Sequence, residues 1–404
     1  MPEAQRFLVV PPNEEFLGSG AWTLPRALGS VGYTTALVGK WHLGEDPTTA
    51  GFDTRVAGSA KGQPFTYFPP YKLEQFGLAE PDDKDEYLTP RLTREALGCV
   101  QRAVDARGRD AEESPFFVML SHFAVHEPWS APATATRRFA SARHASDGFT
   151  RDATYAAMVS SVDDSLGAVR DELARLGLGA STLLVFASDN GGVGSYASAG
   201  SRSIEITSNR PLRGGKGTLY EGGLRVPLLL HWPARATRGG GVRAPVRMHV
   251  DLFATLTQLA GAGSNSSFAV GRDLFAVAAR DSETDAHEHR FDERFAFVFP
   301  GYLATKRSKR ARAPTGGSLS AELRTAPTSV VRSGHLKLLH FHEVREAVPK
   351  RATARGLQFR ARALSPVAHT RLSRAPRAHV CAFRSLPSVA DRTDGSHRAL
   401  QSDG

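Results

Sequence analysis

Six polar residues in this chain have side chains that suit the binding of an oxyanion and a metal ion, and each lies close to an apolar run. They are Lys40, His42, His126, Asp189, Asn190 and Lys216. The lysines and histidines offer positive charge and donors to a tetrahedral anion such as sulfate or phosphate, and the histidines can also move protons. The carboxylate and amide oxygens are ligands that Ca²⁺ and Mg²⁺ prefer. These residue types predict a site where an oxyanion is held together with a divalent metal ion.

Each of these residues taken alone also has an ordinary explanation. The Asp-Asn-Gly-Gly sequence at 189–192 is a common turn sequence. A lysine in a glycine-rich loop, such as Lys216, is usually solvated, and His42 could cap a helix. His122 lies four residues before His126 and could take its role. The prediction of a site therefore depends on the whole set and on its order in the chain.

Four apolar runs are predicted to form the strands that position these residues. They are residues 34–40, 115–121, 181–188 and 225–233. Continuous apolar runs are typical of strands buried on both faces of a parallel sheet. Because the carboxyl ends of parallel strands share one edge, the polar residues near the runs are expected to converge there. Lys40 and His42, two residues apart in extended chain, would point to the same side.

The segments between the strands show helical periodicity. Helices are predicted over residues 89–108, 152–178 and 248–262. The buried face of the second helix is predicted to hold Tyr155, Met158, Val159, Val162, Leu166, Val169 and Leu173. The alternation of strands and helices predicts an α/β domain with helices on both faces of the sheet.

Three further residues that could do chemistry are interpreted as structural. Cys99 falls on the apolar stripe of the first predicted helix, so it is interpreted as a core residue rather than a nucleophile. Asp163 and Asp164 have no clustered partners that would complete a metal site. They are interpreted as structural or solvated residues of the second helix.

Charge is distributed unevenly along the 404 residues, which carry a net charge of +10. Residues 301–404 hold 20 Lys and Arg against 6 Asp and Glu. We interpret residues 346–404 as a basic, disordered tail rather than an arm that binds nucleic acid or an anionic membrane, because its Arg-, Ala-, Ser- and Pro-rich sequence lacks an apolar period. No run of about 18 apolar residues predicts a membrane span, and the N-terminus does not resemble a secretory signal. Two cysteines exclude a disulfide framework.

The segments that carry the polar residues resemble those of the sulfatase family, in the family's order. The stretch "GYTTALVGKWHLG" at 32–44 resembles the family's second signature, and "GFD" at 51–53 follows it as it commonly does there. Residues 115–132, 158–192 and 209–233 resemble the corresponding arylsulfatase segments, and "SVVRSGHLKLL" at 329–339 resembles the start of the family's C-terminal sheet. The resemblance covers roughly residues 16–275 and a patch near 329–340.

This resemblance implies an alkaline-phosphatase-like α/β fold, with a mostly parallel sheet flanked by helices and a truncated, smaller C-terminal α+β portion. Residues 1–280 would form the catalytic domain, and residues 281–345 part of a C-terminal subdomain. The implied activity is hydrolysis of sulfate esters. By resemblance, Asp189 and Asn190 bind the metal, which is Ca²⁺ in preference to Mg²⁺, and His126 and Lys216 hold the sulfate. Lys40 and His42 lie beside the nucleophile, where His42 helps to break the covalent sulfate intermediate.

The family's nucleophile is a formylglycine made from Cys or Ser within C/S-x-P-x-R, and it lies before the 32–44 signature. The 31 residues before Gly32 contain no such motif, no Cys and no Asp, and neither Cys99 nor Cys381 fits the pattern. We therefore expect the chain as written to be incomplete and inactive. Two alternatives stay open: a non-catalytic remnant that binds sulfated ligands or a partner, and a phosphodiesterase-like member of the superfamily.

The resemblance also implies a sulfated small molecule or carbohydrate as substrate, and a lysosomal or extracellular location reached through the secretory pathway. Residues 61–76 and 195–210 are the candidate specificity loops. Within the first, Tyr67, Phe68 and Tyr71 could stack on a sugar or aryl ring, or could pack in the core. Asn265 lies in an N-glycosylation sequon. No nucleic-acid partner is expected, and the sequence leaves the oligomeric state open.

Overall fold

The computed structural model describes about three fifths of the chain, in fourteen stretches. They are residues 16–18, 20–44, 46–106, 115–140, 152–193, 206–234, 246–263, 271–275, 294–299, 303–304, 323–325, 327–333, 336–342 and 381–384. The described helices are α1 (Leu24–Gly29), α2 (Leu88–Ala106), α3 (Ala133–Ala140), α4 (Ala153–Arg175), α5 (Glu221–Leu224) and α6 (His249–Leu259). The described strands are β1 (Thr34–Gly39), β2 (Thr54–Val56), β3 (Phe116–Ser121), β4 (Leu184–Ala187), β5 (Leu228–His231), β6 (Arg294–Phe299), β7 (Leu303–Ala304), β8 (Leu323–Thr325), β9 (Thr328–Ser333), β10 (Leu336–Phe341) and β11 (Cys381–Arg384).

A three-stranded parallel sheet in the order β2-β1-β3 forms the first half of the fold. The central strand β1 is buried from Thr35 to Gly39, as its apolar, β-branched sequence predicts. The amide and hydroxyl of Thr35 both donate to Asp53 Oδ2, at 2.7 and 2.9 Å. This carboxylate fixes the chain segment that leads into β2 beside β1. The strands predicted over 34–40 and 115–121 are thus confirmed.

The core lies where α2 packs against β1 and β3. Leu88, Leu92 and Ala96 on this helix are buried, together with Cys99, which is 7% exposed. Burial raises the pKa of the Cys99 thiol above its ordinary value, although the nearby Arg102 opposes the shift. The interpretation of Cys99 as a core residue is confirmed.

Helix α4 begins at its N-cap Asp152, whose carboxylate accepts a hydrogen bond from the amide of Tyr155. Met158 and Leu173 are buried as predicted. Val159 is 48% exposed, so its predicted place on the buried face is wrong. The small residues Ala157 and Ser165 are buried instead, because they allow close contact with the neighbouring elements. Asp163 and Asp164 are exposed, in agreement with the solvated interpretation.

Strands β4 and β5 form an antiparallel pair, with Leu184 opposite His231 and Ala187 opposite Leu228. The prediction that residues 225–233 form a parallel strand buried on both faces is therefore wrong, and Leu229 is 55% exposed. A parallel pair needs a crossover connection, usually a helix of some length. In the described part of the connection between these strands, the only helix is the four-residue α5.

A four-stranded antiparallel sheet in the order β11-β10-β9-β6 follows. Strands β9 and β10 form a hairpin over the stretch that resembles the family's C-terminal sheet. Of the predicted tail, only β11 belongs to the described residues, and it pairs with β10. Most of the loop 195–210 and the sequon at Asn265 lie outside the described residues. Among the helices that are described, none is both long and apolar enough to span a membrane.

Candidate active site

All six polar residues that the sequence singles out line one cavity of about 450 Å³, which we name the main cavity. Its lining consists of Lys40, His42, Gly62, Gln63, His126, Asp189, Asn190 and Lys216. These residues come from the loops after β1, β3 and β4, from the stretch at 62–63 and from the glycine-rich loop before α5. The predicted convergence at the carboxyl edge of the strands therefore takes place, although β5 runs antiparallel.

Lys40 is placed by the turn that ends β1. Gly39 has a φ of 99°, and a Cβ atom there would lie 2.1 Å from the carbonyl oxygen of Ser121. Only glycine fits this close approach of two strand ends. The amide of Lys40 then donates to the same Ser121 oxygen at 2.7 Å. The end of β3 thereby holds Lys40 at the mouth of the main cavity.

His42 reaches the same cavity through an unusual backbone conformation. Its φ of 68° lies in the left-handed region, so the residues around it are not the extended chain that was predicted. Its amide donates to the carbonyl of Ser59 at 2.9 Å. Its ring lies over Gly62, where a Cβ atom would come within 2.3 Å of the imidazole. Strain of this kind persists where the surrounding structure holds it, and it clusters at functional sites.

His126 follows β3 and is half-buried in the main cavity. Its Nδ1 donates to the carbonyl of Glu127 at 2.9 Å, and its own carbonyl accepts a hydrogen bond from the Tyr67 hydroxyl at 2.8 Å. Burial lowers the pKa of His126 below its ordinary value, and the positive charges of Lys216 and Lys40 lower it further. The imidazole is therefore neutral near pH 7, with Nε2 as its proton acceptor.

Asp189 and Asn190 form the turn that follows β4. Asp189 Oδ1 accepts from the Asn190 amide at 2.8 Å, and Asn190 Nδ2 donates to the carbonyl of Gly191 at 2.9 Å. These bonds turn the amide nitrogen away and leave an Asn190 oxygen and an Asp189 oxygen as hard donors. In the described part of the chain no group of three or more His, Cys, Asp or Glu residues is placed to hold a metal ion. The turn therefore offers two candidate oxygen ligands, and the described residues do not complete a metal site around them.

The loop that carries Lys216 is joined to this turn. Asn209 Nδ2 donates to the carbonyls of Gly192 and Gly214, at 2.9 and 3.0 Å, and its Oδ1 accepts from the Gly192 amide at 3.1 Å. The amide of Lys216 donates to the Gly192 carbonyl at 3.0 Å. Helix α5, which follows this loop, also packs on the turn, since a Cβ atom on Gly191 would overlap the backbone of Gly222. The candidate metal-binding and anion-binding residues thus belong to one bonded unit.

Two of the sequence-based alternatives are not supported by the structure. His122 lies outside the main cavity, where its Nε2 is hydrogen-bonded to the Ser165 hydroxyl at 2.8 Å. Burial lowers the pKa of His122 to about 4, which fits a neutral core residue. Tyr67 and Tyr71 are fully buried, so they cannot stack on a ligand. Phe68 is partly buried and packs against the same core.

Sequence reasoning missed three residues that help to build the site. Gly62 and Gln63 line the main cavity, and Asn209 joins the two loops around it. Gln63 and Asn209 lie in the two candidate specificity loops, 61–76 and 195–210. Their residue types do not distinguish them from the polar residues beside them, and only their tertiary contacts do so.

The Sulfatase family model matches residues 2–262, which is more than half of the chain. The chain belongs to the sulfatase family. This sulfatase-family chain is similar to N-acetylgalactosamine-6-sulfatase of Mus musculus, at 31% identity over 298 residues that cover 68% of this chain and 51% of that protein. It is also similar to arylsulfatase J of Mus musculus, at 32% identity over 272 residues, covering 63% and 42%.

Among solved structures, the sulfatase-family chain is similar to Ps i-CgsB in complex with k-i-k-neocarrahexaose, with a TM-score of 0.58 and 27% identity. That match covers 81% of this chain and 67% of the other. The alkaline-phosphatase-like α/β fold predicted from the sequence is therefore confirmed. The chain spans about half the length of the curated relatives that it matches.

Proposed function

We propose that the main cavity binds the sulfate group of a sulfate ester and that the complete protein hydrolyses this ester to an alcohol and sulfate. One observation carries the proposal: two lysines, two histidines and two hard-oxygen side chains from distant stretches line the same cavity. A concentrated set of donors and positive charge suits an anionic ester whose negative charge grows in the transition state. Membership of the sulfatase family supports sulfate as that anion.

The residues divide into two roles in this proposal. Lys40 and Lys216 supply fixed positive charge to the sulfate oxygens, and His126 supplies a ring nitrogen beside them. His42 is held over Gly62 in a strained backbone, so its imidazole is positioned for proton transfer rather than for adaptable binding.

Asp189 and Asn190 fit a hard divalent cation in donor type, and we propose Ca²⁺ in preference to Mg²⁺. When bound, the ion would supply positive charge near the sulfate oxygens. These residues give only part of the six to eight oxygens, roughly, that Ca²⁺ takes. Formylglycine does not fit the described lining, which contains no Cys or Ser.

A sulfated carbohydrate is the substrate class that we propose. The support is that one similar protein is named N-acetylgalactosamine-6-sulfatase and that a similar structure holds k-i-k-neocarrahexaose. A lysosomal or extracellular location is part of the same proposal, and it rests on the resemblance to the family alone. Localisation of a tagged chain in cells tests it.

The first test measures binding on this chain and turnover on the complete protein. We expect inorganic sulfate to bind to the chain in calorimetry with Ca²⁺ present, and we expect the complete protein to release nitrophenolate from 4-nitrophenyl sulfate. Lys40→Met and Lys216→Met should each weaken sulfate binding by about tenfold. Lys84→Met, which changes an exposed lysine outside the cavity, is the matched control and should bind like the unchanged chain. Bis(4-nitrophenyl) phosphate in a parallel assay tests the phosphodiesterase-like alternative.

Oxyanion binding without turnover is the second candidate function. It is favoured by the described lining of the main cavity, in which no side chain carries a hydroxyl or thiol. Sulfate binding that depends on Lys40 and Lys216, without release of nitrophenolate, would support it. Absence of sulfate binding would contradict both candidates.

A further inference from the structure

A second cavity of about 210 Å³, which we name the side cavity, adjoins the main cavity. The two share Gln63, and the amide of His42 in the main cavity bonds to the carbonyl of Ser59 in the side cavity. The side cavity is lined by Ser59, Lys61, Gln63, Phe65, Lys72, Leu73, Gln75, Phe76 and Phe123. This described lining includes two lysines and no carboxylate, so the side cavity favours an anion.

Lys72 and Phe65 form the open wall of the side cavity. The Lys72 Nζ lies 4.0 Å from the centroid of the Phe65 ring, within the range of a cation–π contact. Phe65 is 63% exposed, which is unusual for a large aromatic side chain. The Phe65 ring restricts the position of the Lys72 ammonium group, and part of the ring surface stays exposed to solvent. An aromatic face beside a cation suits a sugar ring that carries an acidic group.

The backbone that presents Lys72 is strained and held in place. Lys72 has a φ of 60°, in the left-handed region that residues other than glycine rarely adopt. The two carboxylate oxygens of Glu80 accept the amides of Tyr71 and Lys72, at 2.8 and 2.6 Å. The same carboxylate thus fixes the strained turn through its backbone. Backbone strain that the surrounding structure holds in place clusters at binding sites, so this fixed turn supports a binding role for Lys72.

The size of the side cavity indicates which part of a ligand it takes. Its volume is below the range of about 300 to 1,000 Å³ that is typical for a whole small-molecule ligand. It therefore suits one unit of a larger ligand whose other unit occupies the main cavity.

We propose that the side cavity is a subsite for the neighbouring sugar of the substrate, and that it selects a sugar bearing its own sulfate or carboxylate. Lys61 and Lys72 bind this second anionic group, and Phe65 packs against the ring. The preferred substrate class is then an oligosaccharide with anionic groups on adjacent sugars. This inference rests on the proposed function of the main cavity.

The test compares two synthetic disaccharides with the same backbone, one with a single sulfate and one with a sulfate on each sugar. Their dissociation constants for the full chain are measured by calorimetry at low salt, with inorganic sulfate as a third probe. We expect the disulfated compound to bind about tenfold more tightly, with a preference that falls as salt screens the second contact. Equal affinity for the two compounds would overturn the subsite.

Variants then assign the preference to the side cavity. Lys61→Met and Lys72→Met should each reduce the preference for the disulfated disaccharide by about threefold. Phe65→Ala should weaken the binding of both disaccharides and leave the affinity for inorganic sulfate unchanged. Lys84→Met and Phe16→Ala are the matched controls, and Phe16 is as exposed as Phe65, at 63%. A preference that survives the lysine variants would overturn the assignment.

Two further results separate binding from folding and from the proposed function. Lys72→Gly relieves the strained φ, so it should unfold at an equal or higher temperature and still lose the preference. Loss of the preference only in variants that also unfold would contradict the subsite. Inorganic sulfate could fail to bind while the preference for the disulfated disaccharide still depends on Lys61 and Lys72. In that case the proposed function of the main cavity is wrong, and the side cavity is still an anion-binding site. If no probe binds, both fail.

Discussion

Single glycines determine where the chemically important side chains of the candidate site stand. Gly39 allows the end of β1 to meet Ser121, and Gly62 leaves room for the ring of His42. The imidazole is a movable side chain, whereas the Ser121 carbonyl belongs to the sheet. A side chain added at Gly62 would therefore shift the His42 ring, whereas one added at Gly39 would disturb the fold.

We predict that Gly62→Ala displaces His42 without unfolding the protein. Hydrolysis of 4-nitrophenyl sulfate by the complete protein should fall by about tenfold or more, and the free energy of unfolding of this chain should change by less than about 1 kcal/mol. NMR signals of labelled histidine report the displacement independently of turnover. Gly167→Ala in α4, where nothing lies within 4 Å of the added Cβ, is the control and should raise stability slightly. Unchanged His42 signals in Gly62→Ala would contradict the prediction.

His126 predicts how sulfate binding depends on pH. Its Nδ1 donates to the Glu127 carbonyl, so the neutral ring presents a lone pair at Nε2. Sulfate offers only acceptors, so the ring must take up a proton to bind it. The pKa of His126 is lowered by burial and by Lys216 and Lys40, and a bound anion would raise it, because a nearby negative charge favours the protonated ring. Affinity should therefore increase as pH falls, by at most about tenfold per pH unit.

Calorimetry in buffers of different ionisation enthalpy measures this proton uptake directly. The unchanged chain should take up protons when it binds sulfate near pH 7. His126→Gln, which keeps an amide donor without a titrating ring, should bind more weakly and show little proton uptake. Uptake that persists in His126→Gln would assign the proton to another group.

At the scale of elements, Asn209 joins the loop of Lys216 to the turn of Asp189. Its side-chain amide uses both hydrogens and its oxygen in three bonds to the backbone of Gly192 and Gly214. Such a fully satisfied group fixes one arrangement of the two loops. The position of Lys216 therefore depends on a residue that does not line the main cavity.

We predict that Asn209→Ala lowers the free energy of unfolding by about 2 to 3 kcal/mol, since three hydrogen bonds are lost. It should also weaken sulfate binding, because Lys216 is no longer held opposite Lys40. Urea unfolding and calorimetry measure the two effects. Ser208→Ala, which removes only a local 3.3 Å bond to the Arg210 amide, is the control. Full sulfate affinity in Asn209→Ala would show that the loop keeps its place without this residue.

At the scale of the whole molecule, one carboxylate connects the C-terminal sheet to the site. Glu221, the first residue of α5, accepts from Lys337 at 2.6 Å and from Arg332 at 2.9 Å. Burial alone would raise the pKa of Glu221, but these two partners hold it below its ordinary value. Lys337 is only 9% exposed, so it needs this carboxylate.

Glu221→Gln should lower the free energy of unfolding by about 3 to 5 kcal/mol, because it leaves a buried lysine without its counter-charge. The double variant Glu221→Gln/Lys337→Met should recover much of the lost free energy of unfolding, because the buried lysine charge is removed as well. Urea unfolding of the two single variants and the double variant measures the coupling. Additive losses would contradict a direct interaction. Glu172→Gln, an exposed pair with Arg175 in α4, is the control with little effect.

The sequence predicted the elements that local pattern determines and missed those that tertiary contacts determine. The apolar run at 34–40 could only be a buried strand, and the polar groups after β1, β3 and β4 converge as expected. The direction of β5 depends on the path of the chain that connects it to β4, and the local sequence pattern of β5 does not encode that path. The left-handed backbone of His42 and the bonds of Asn209 likewise exist only once distant segments meet.

The main cavity lies between two groups of strands that are not hydrogen-bonded to each other in the described part of the chain. Lys40, His42 and His126 belong to the β2-β1-β3 sheet, whereas Lys216 and its bonded turn belong to the β4-β5 pair. A sulfate ion bound by residues of both groups would link the two groups of strands and stabilise their contact. We therefore expect protease resistance to rise with sulfate concentration, with a gain of about 2.7 kcal/mol in stability at a hundred times the dissociation constant. Lys40→Met and Lys216→Met should each reduce this gain at the same sulfate concentration, because each weakens sulfate binding.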